Sequence, residues 1–255
     1  MSTPFQRHSL IALISLAAAG AAQAQATVKP DGQFRAALGL GASLSSGNTK
    51  ASNLSLTSEA VRATDQDKTS LYGNAQYAKS GGVTTAEQLR AGGRQDVNLN
   101  PTLFGFGGLD LERNKFANLS LRGLASAGLG WHALKAETTT LDVWGGLGYT
   151  SDRYIDPMVI EGANRSRYGY ASLLLGEEST HKLSETTSVK QRLVLVPNLK
   201  DRGEFRANWD AGLAVAMNKT MNLTVGLALA HNSAPGAGRK ATDTLFTTGV
   251  SVKFD

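Results

Sequence analysis

Charged side chains recur at alternate positions among apolar residues along much of this 255-residue chain. Alternate residues of a β-strand lie on one face, so these charges would share one side of a sheet. Charges of both signs can line a watery lumen and set its preference for anions or cations. The residues that we expect to line such a lumen are Arg90, Arg94, Asp96, Arg122, Asp142, Lys190, Arg192, Arg206 and Asp210. Because basic residues outnumber acidic ones among them, we expect a slight preference for anions. The alternative is that the charges pair across neighbouring strands and leave no open channel.

A second polar group lies in residues 151–167, the longest connection between predicted strands. The candidate site there comprises Asp152, Arg153, Tyr154, Asp156 and Glu161. Its carboxylates are suitable ligands for a hard cation, but nearby arginines can pair with them, which favours a solvated loop of mixed charge. Since connecting segments often carry function, we expect this loop either to bind a surface ligand or to fold inward and narrow the lumen.

Hydrolytic chemistry needs a serine nucleophile beside a histidine base. The chain beyond residue 24 has three histidines, and His231-Asn232-Ser233 is the one close His/Ser pair. No further signature supports catalysis, so we predict that the protein is not an enzyme and keep a phospholipase-like outer-membrane hydrolase as an alternative. His132 and His181 fall in predicted turns and should be solvated. Without a nucleotide loop, haem motif or zinc cluster, we expect no cofactor and no metal.

The elements that must position these residues are strands. From Phe205 to Met217 every odd position is apolar, and this period of two recurs along the chain. We predict twelve strands, at 34–45, 50–63, 69–77, 86–98, 103–113, 119–131, 138–149, 168–178, 186–196, 205–217, 221–229 and 244–254. Most are close to the ~9–11 residues that a tilted strand needs to cross a bilayer.

The apolar face of these strands is predicted to point outward. A ring of about twelve strands encloses too wide a space for Leu, Ala and Gly to fill. We therefore predict an all-β fold, a closed antiparallel transmembrane β-barrel of about 12 strands. Aromatic girdles are expected from Phe34, Tyr77, Phe104, Trp131, Tyr149, Phe205 and Phe254. The alternative, with the apolar face inside, is a soluble periplasmic ligand-binding β-protein.

The fifth strand is less regular than the others. Phe104 shares its face with Asp110 and Glu112, which mixes apolar and charged residues. We therefore expect a β-bulge near Gly107 and Gly108, where an extra residue would reverse the faces.

The front of the chain has the features of a secretory signal peptide. Arg7 precedes an apolar run at residues 10–22, and small residues at 22, 24 and 26 offer two cleavage sites. We predict a signal peptide at 1–24, with cleavage at 24 or 26, a short periplasmic segment at 25–33 and a barrel domain at 34–255. The formal charge of +5 is mild. The chain has no basic run with interleaved aromatics, so we predict no nucleic-acid partner.

Several ordered motifs resemble one known family. They are Gly47-Asn48-Thr49, the stretch from Leu141 to Tyr149, the stretch from Gly176 to Lys182, Thr242-Asp243-Thr244-Leu245, and Val250-Ser251-Val252-Lys253-Phe254. The chain resembles a family of unknown function whose members are labelled salt-induced outer membrane proteins. The resemblance implies an outer-membrane barrel of a Gram-negative bacterium, and no established substrate or reaction.

The expected role is therefore envelope structure or a narrow passive pore for small solutes or ions, with a link to salt or osmotic stress. The expected partners are membrane lipid and, during biogenesis, the barrel assembly machinery. Val250, Val252 and Phe254 keep the alternation that this machinery reads, although Asp255 is the last residue. The oligomeric state is left open.

Overall fold

The computed structural model describes residues 25–45, 51–160, 162–235 and 239–254. They form a closed antiparallel barrel of twelve strands, each paired with its neighbours in the chain, and β1 pairs with β12 to close the ring. The strands are β1 (Phe34–Ser45), β2 (Ala51–Ala63), β3 (Asp67–Ser80), β4 (Val83–Asn98), β5 (Leu103–Asn114), β6 (Leu119–Lys135), β7 (Thr139–Ile160), β8 (Ala163–Lys182), β9 (Thr187–Pro197), β10 (Phe205–Ala216), β11 (Met221–Asn232) and β12 (Thr242–Phe254). The prediction of a closed antiparallel barrel of about twelve strands is confirmed.

The two faces of the strands have the predicted orientation. Leu40, Leu129 and Leu147 are each 63% exposed on the outside, whereas Thr150 and Ser172 are fully buried on the inside. The alternative of a soluble protein with an apolar interior is wrong, because the leucines lie outside the ring. Closure also pairs the backbone groups that an open sheet would leave bare, which is the condition for strands to stand in hydrocarbon.

We name the rim at which β1 begins and β12 ends the near rim, and the opposite one the far rim. The predicted signal peptide, residues 1–24, lies outside the described residues. Residues 25–33, expected in the periplasm, begin inside the barrel: the Gln25 side chain donates to the Gly212 carbonyl at 3.4 Å, and the Ala26 amide donates to Glu59 Oε2 at 3.0 Å. The segment then passes the near rim and enters β1.

Among the described residues, no helix has the length and apolar character needed to cross a membrane.

The predicted loop at 151–167 is instead a hairpin formed by the extended ends of β7 and β8. Pairing runs without interruption to Arg153↔Arg167, shifts register, and resumes at Met158↔Arg165. Apolar alternation stops near Tyr149, but the backbone ladder does not depend on apolar side chains and continues without them. Asn118, with a φ of 61°, fixes the irregular part, since its side chain bonds both the amide and the carbonyl of Asp156 at 2.8 Å.

The expected bulge at Gly107 and Gly108 is absent from the described β5, which pairs in regular register with β4 and β6 there. Phe104 therefore faces the lumen and is 1% exposed, so its assignment to the aromatic girdle was wrong. Its ring lies over Gly130 of the neighbouring strand, which has no side chain to displace it. The other predicted girdle residues, Phe34, Tyr77, Trp131, Tyr149, Phe205 and Phe254, are exposed on the outer surface.

Candidate functional site: the charged lumen

The structure places the nine charged residues of the predicted lumen together on the inside of the barrel. They border a cavity of about 230 Å³ inside the barrel. Sequence reasoning missed five further charges on its wall, which are Glu59, Lys68, Asp110, Glu112 and Glu178. The complete wall of this cavity carries seven Lys or Arg and seven Asp or Glu residues. The charges of the cavity are therefore balanced, which removes the basis for the expected anion preference.

The missed residues had a usable signal. In β2 the exposed Leu54 and Leu56 occupy even positions, so Glu59, at an odd position, belongs to the inner face. In β8 the exposed Leu175 occupies an odd position, so Glu178, at an even position, also belongs to the inner face. Continuing the alternation to the ends of each strand would have placed both inside.

One ion-pair network crosses the lumen. Glu59 Oε1 accepts from Lys190 Nζ at 2.8 Å, and Lys68 Nζ lies 3.9 Å from Glu178 Oε1. Strands β2 and β9, which carry the first pair, are five steps apart around the ring (through β1, β12, β11 and β10), and β3 and β8 are also five steps apart. Lys190 and Arg192 lie 4.0 and 3.6 Å from Glu178 and join the two pairs. The network thus connects opposite walls of the lumen.

A second cluster lies toward the far rim. Arg122 donates through Nε and Nη2 to the two carboxylate oxygens of Asp152, both at 2.6 Å, and lies 3.9 Å from Glu112. Arg206 donates to the Thr150 hydroxyl at 3.0 Å, and the Tyr154 hydroxyl donates to Asp152 at 3.3 Å. Paired, planar contacts of this kind hold the side chains in one geometry.

An aromatic surface forms part of the lumen wall. The guanidinium carbon of Arg94 lies 4.3 Å from the ring centroids of both Phe106 and Trp144, and its Nε donates to Asp96 at 2.5 Å. The Trp144 ring occupies the space over Gly176, as Phe104 does over Gly130. Cation–π contact keeps the Arg94 charge against the wall rather than in the middle of the passage.

The five residues of the predicted outer-loop site do not form one site. Asp152 and Tyr154 belong to the lumen cluster, whereas Arg153 points outward from the barrel and Asp156 is held through its backbone by Asn118. Glu161 lies outside the described residues. In the part of the chain that the structure describes, no three His, Asp or Glu side chains come together as metal ligands would.

The histidines have partners other than serine. His231 Nδ1 lies 2.9 Å from the Thr242 hydroxyl, while the Ser233 hydroxyl accepts from the Phe205 amide at 2.8 Å. The pair therefore does not form the nucleophile and base of a hydrolase. His132, expected in a solvated turn, is instead a residue of β6 that contacts Asp142 at 2.7 Å. His181 is likewise within β8.

A closed ring with leucines outside and balanced charges inside defines a porin-like β-barrel of the outer-membrane type, a class of protein that contacts membrane lipid. The chain belongs to the family described as "Protein of unknown function, DUF481", which it matches over residues 38–254. The resemblance seen in the sequence is thereby confirmed. A curated relative is the Uncharacterized protein YdiY of Escherichia coli (strain K12), 26% identical over 202 residues that cover 79% of this chain and 75% of YdiY.

Several solved barrels are similar in outline. An outer membrane channel from Pseudomonas putida F1 has 13% identity and a TM-score of 0.46, covering 89% of this chain and 95% of the other. The translocator domain of the autotransporter NalP from Neisseria meningitidis has 14% identity and a TM-score of 0.45, with 87% of each chain covered. The NanC porin has 10% identity and a TM-score of 0.44, covering 87% and 97%. Similarity at this level supports no statement about function.

Proposed function

We propose that this protein resides in the outer membrane of a Gram-negative bacterium, with the near rim in the periplasm, and forms a narrow, low-conductance passive pore for small ions and hydrophilic solutes. The observation that carries the proposal is the cavity of about 230 Å³ with its wall of seven cationic and seven anionic residues. Charged walls hold water, whereas a purely structural barrel can fill its interior with side chains.

The width of the path is set by the contacts that cross it. The Glu59–Lys190 pair ties opposite walls at 2.8 Å, so only small species would pass beside it. With balanced charges, we propose weak selectivity between anions and cations. No catalytic role belongs to this proposal, because the one His/Ser pair is divided between other partners.

Single-channel recording in planar bilayers tests the proposal. We expect small conductance steps that scale with salt concentration. Glu59→Gln removes one negative charge and should shift the reversal potential in a salt gradient toward anion preference, whereas Lys190→Met should shift it toward cation preference. Asp65→Asn, in the exposed turn after β2, is the matched control and should leave the potential unchanged.

The outcomes separate a pore from a closed barrel. A silent wild type that stays silent in both lumen variants would mean that the barrel is structural and closed. Steps with the same reversal potential in all four proteins would place the ion path away from the Glu59–Lys190 pair and overturn the proposed constriction.

A further inference from the structure

Two arginines face each other on the outer surface of the barrel near the far rim. Asp152 reaches Arg122 inside the lumen, so its neighbour Arg153 points outward, and Arg153 is the direct cross-strand partner of Arg167. Both are exposed, and neither has an ion-pair partner among the described residues. Like charges directly opposite one another destabilise a sheet, which makes an anion between them favourable.

The height of this pair on the barrel can be read from β6. The outward-facing apolar residues of that strand run from Trp131 to Leu121, which are 51% and 42% exposed. At ~3.3 Å per residue and a tilt near 40°, these ten steps span roughly 25 Å, the height of the apolar band of outer-membrane barrels. Leu121 is the cross-strand partner of Arg153. The arginine pair therefore lies where the hydrocarbon ends and the headgroups begin.

The surface below the pair suits an acyl chain. Tyr149 is 59% exposed, and its ring lies against the backbone of Gly169, where a Cβ would be 3.1 Å from Tyr149 Cζ. The Tyr149 ring therefore presents apolar surface to the lipid on the near-rim side of the two arginines. Aromatic residues at this level mark the bilayer interface.

Positive charge continues around the same rim. Lys79 Nζ lies 5.5 Å from the Tyr77 ring on the outside of β3. Arg113 and Lys115 lie 3.8 and 3.3 Å from Glu87, so two cations share that carboxylate. The field along β3 to β8 therefore attracts anions toward the barrel wall.

We propose that the surface formed by Arg153 and Arg167, beside Leu121 and above Tyr149, binds the phosphate group of an anionic lipid in the leaflet at the far rim. The planar guanidinium presents paired donors that match phosphate oxygens. The lipid phosphate neutralises the two facing charges while its chain lies on the apolar surface below. This inference depends on the membrane location and orientation proposed above, but not on conduction.

The test measures binding of bisphosphorylated lipid A to the full-length protein in phosphatidylcholine nanodiscs, counted by native mass spectrometry. A basic residue near a membrane surface strengthens binding about fivefold, so the double substitution Arg153→Gln with Arg167→Gln should weaken binding about thirtyfold. Lys135→Gln with Lys182→Gln, exposed at the near-rim ends of β6 and β8, is the matched control and should bind as wild type does. The heat-dependent gel shift of each variant verifies that it is folded.

Equal lipid A binding in wild type and the far-rim double variant would overturn the proposal. So would displacement of lipid A by inorganic phosphate at equal concentration, because the site would then recognise free phosphate rather than lipid. Failure of the proposed location is measured separately, as absence of the protein from the outer-membrane fraction. A silent barrel in planar bilayers would leave the lipid result standing.

Discussion

Substitution of Gly130 by alanine tests whether the aromatic rings of the lumen depend on the bare backbone of the next strand. A Cβ at Gly130 would lie 2.7 Å from Phe104 Cε1 and closer still to Cζ and Cε2. The ring has little room to move, since Phe104 is 1% exposed and its centroid lies 4.7 Å from that of His132. The added methyl group must therefore displace the ring or separate β5 from β6.

The expected cost follows from overpacking. Extra methyl groups in packed interiors cost about 1–3 kcal/mol, and Phe104→Ala alone should cost about 3–5 kcal/mol. In the Phe104→Ala background the methyl group at Gly130 has space, so its cost should fall to near zero. A double-mutant cycle should then give a coupling free energy of about 1–3 kcal/mol between the two positions.

The assay is urea unfolding from phosphatidylcholine vesicles, followed by tryptophan fluorescence and by loss of the compact band on unheated gels. Gly107→Ala is the matched control, because a Cβ there meets nothing within 4 Å, and it should change the free energy of unfolding by less than about 1 kcal/mol. The reasoning fails if Gly130→Ala costs the same with and without the Phe104 ring, or costs no more than the control.

Three further outcomes follow from other contacts. Gly128→Ala should be costlier than Gly130→Ala in the same assay, because its Cβ would lie 2.6 Å from the backbone Cα of Gly146, which cannot rotate away as a side chain can. Asn118→Ala removes two hydrogen bonds of 2.8 Å to the β7 backbone, worth about 0.5–1.5 kcal/mol each, and should speed protease cleavage of the β7–β8 hairpin while the barrel band persists. Hydrogen bonds from Arg35 hold the pKa of Asp31 well below its usual range, so this contact is complete above the ordinary carboxyl pKa and is lost only as pH falls through the lowered value. The Gln33 amide, which donates to Asp31 at 3.1 Å, should show that transition in its NMR shift, and Asp31→Asn should abolish it.

Strand number, antiparallel order and the outward direction of the leucines could be predicted because alternation is a local property. A residue two positions along a strand returns to the same face, whatever lies elsewhere in the chain. The same rule located Arg90, Lys190 and the other predicted lumen charges. The rule also holds at Phe104, which shares the inner face with Asp110 and Glu112, and the girdle assignment was wrong because it assumed a bulge that β5 does not contain. That the lumen has room for this ring is known only once Gly130 is seen to lie beside it.

The predicted outer loop failed for a related reason. Directly beyond Tyr149 the exposed residues of β7 are Ser151 and Arg153, so the alternation that indicates a strand is interrupted although the pairing with β8 continues. Nothing in the sequence around Arg153 or Arg167 indicates that the two residues face each other. That pairing depends on the register of the hairpin, which includes an irregular stretch held by Asn118.

The amino-acid sequence alone determined the number and order of the strands, the closed architecture and the face of most side chains, because these depend on a period of two and on the width of a twelve-strand ring. Only the tertiary structure decided which charges meet. Glu59 and Lys190 are 131 positions apart in the chain and contact each other because closure of the ring places β2 opposite β9. Alternation assigns each side chain to a face, but the partner across the lumen is set by the curvature and stagger of the complete barrel.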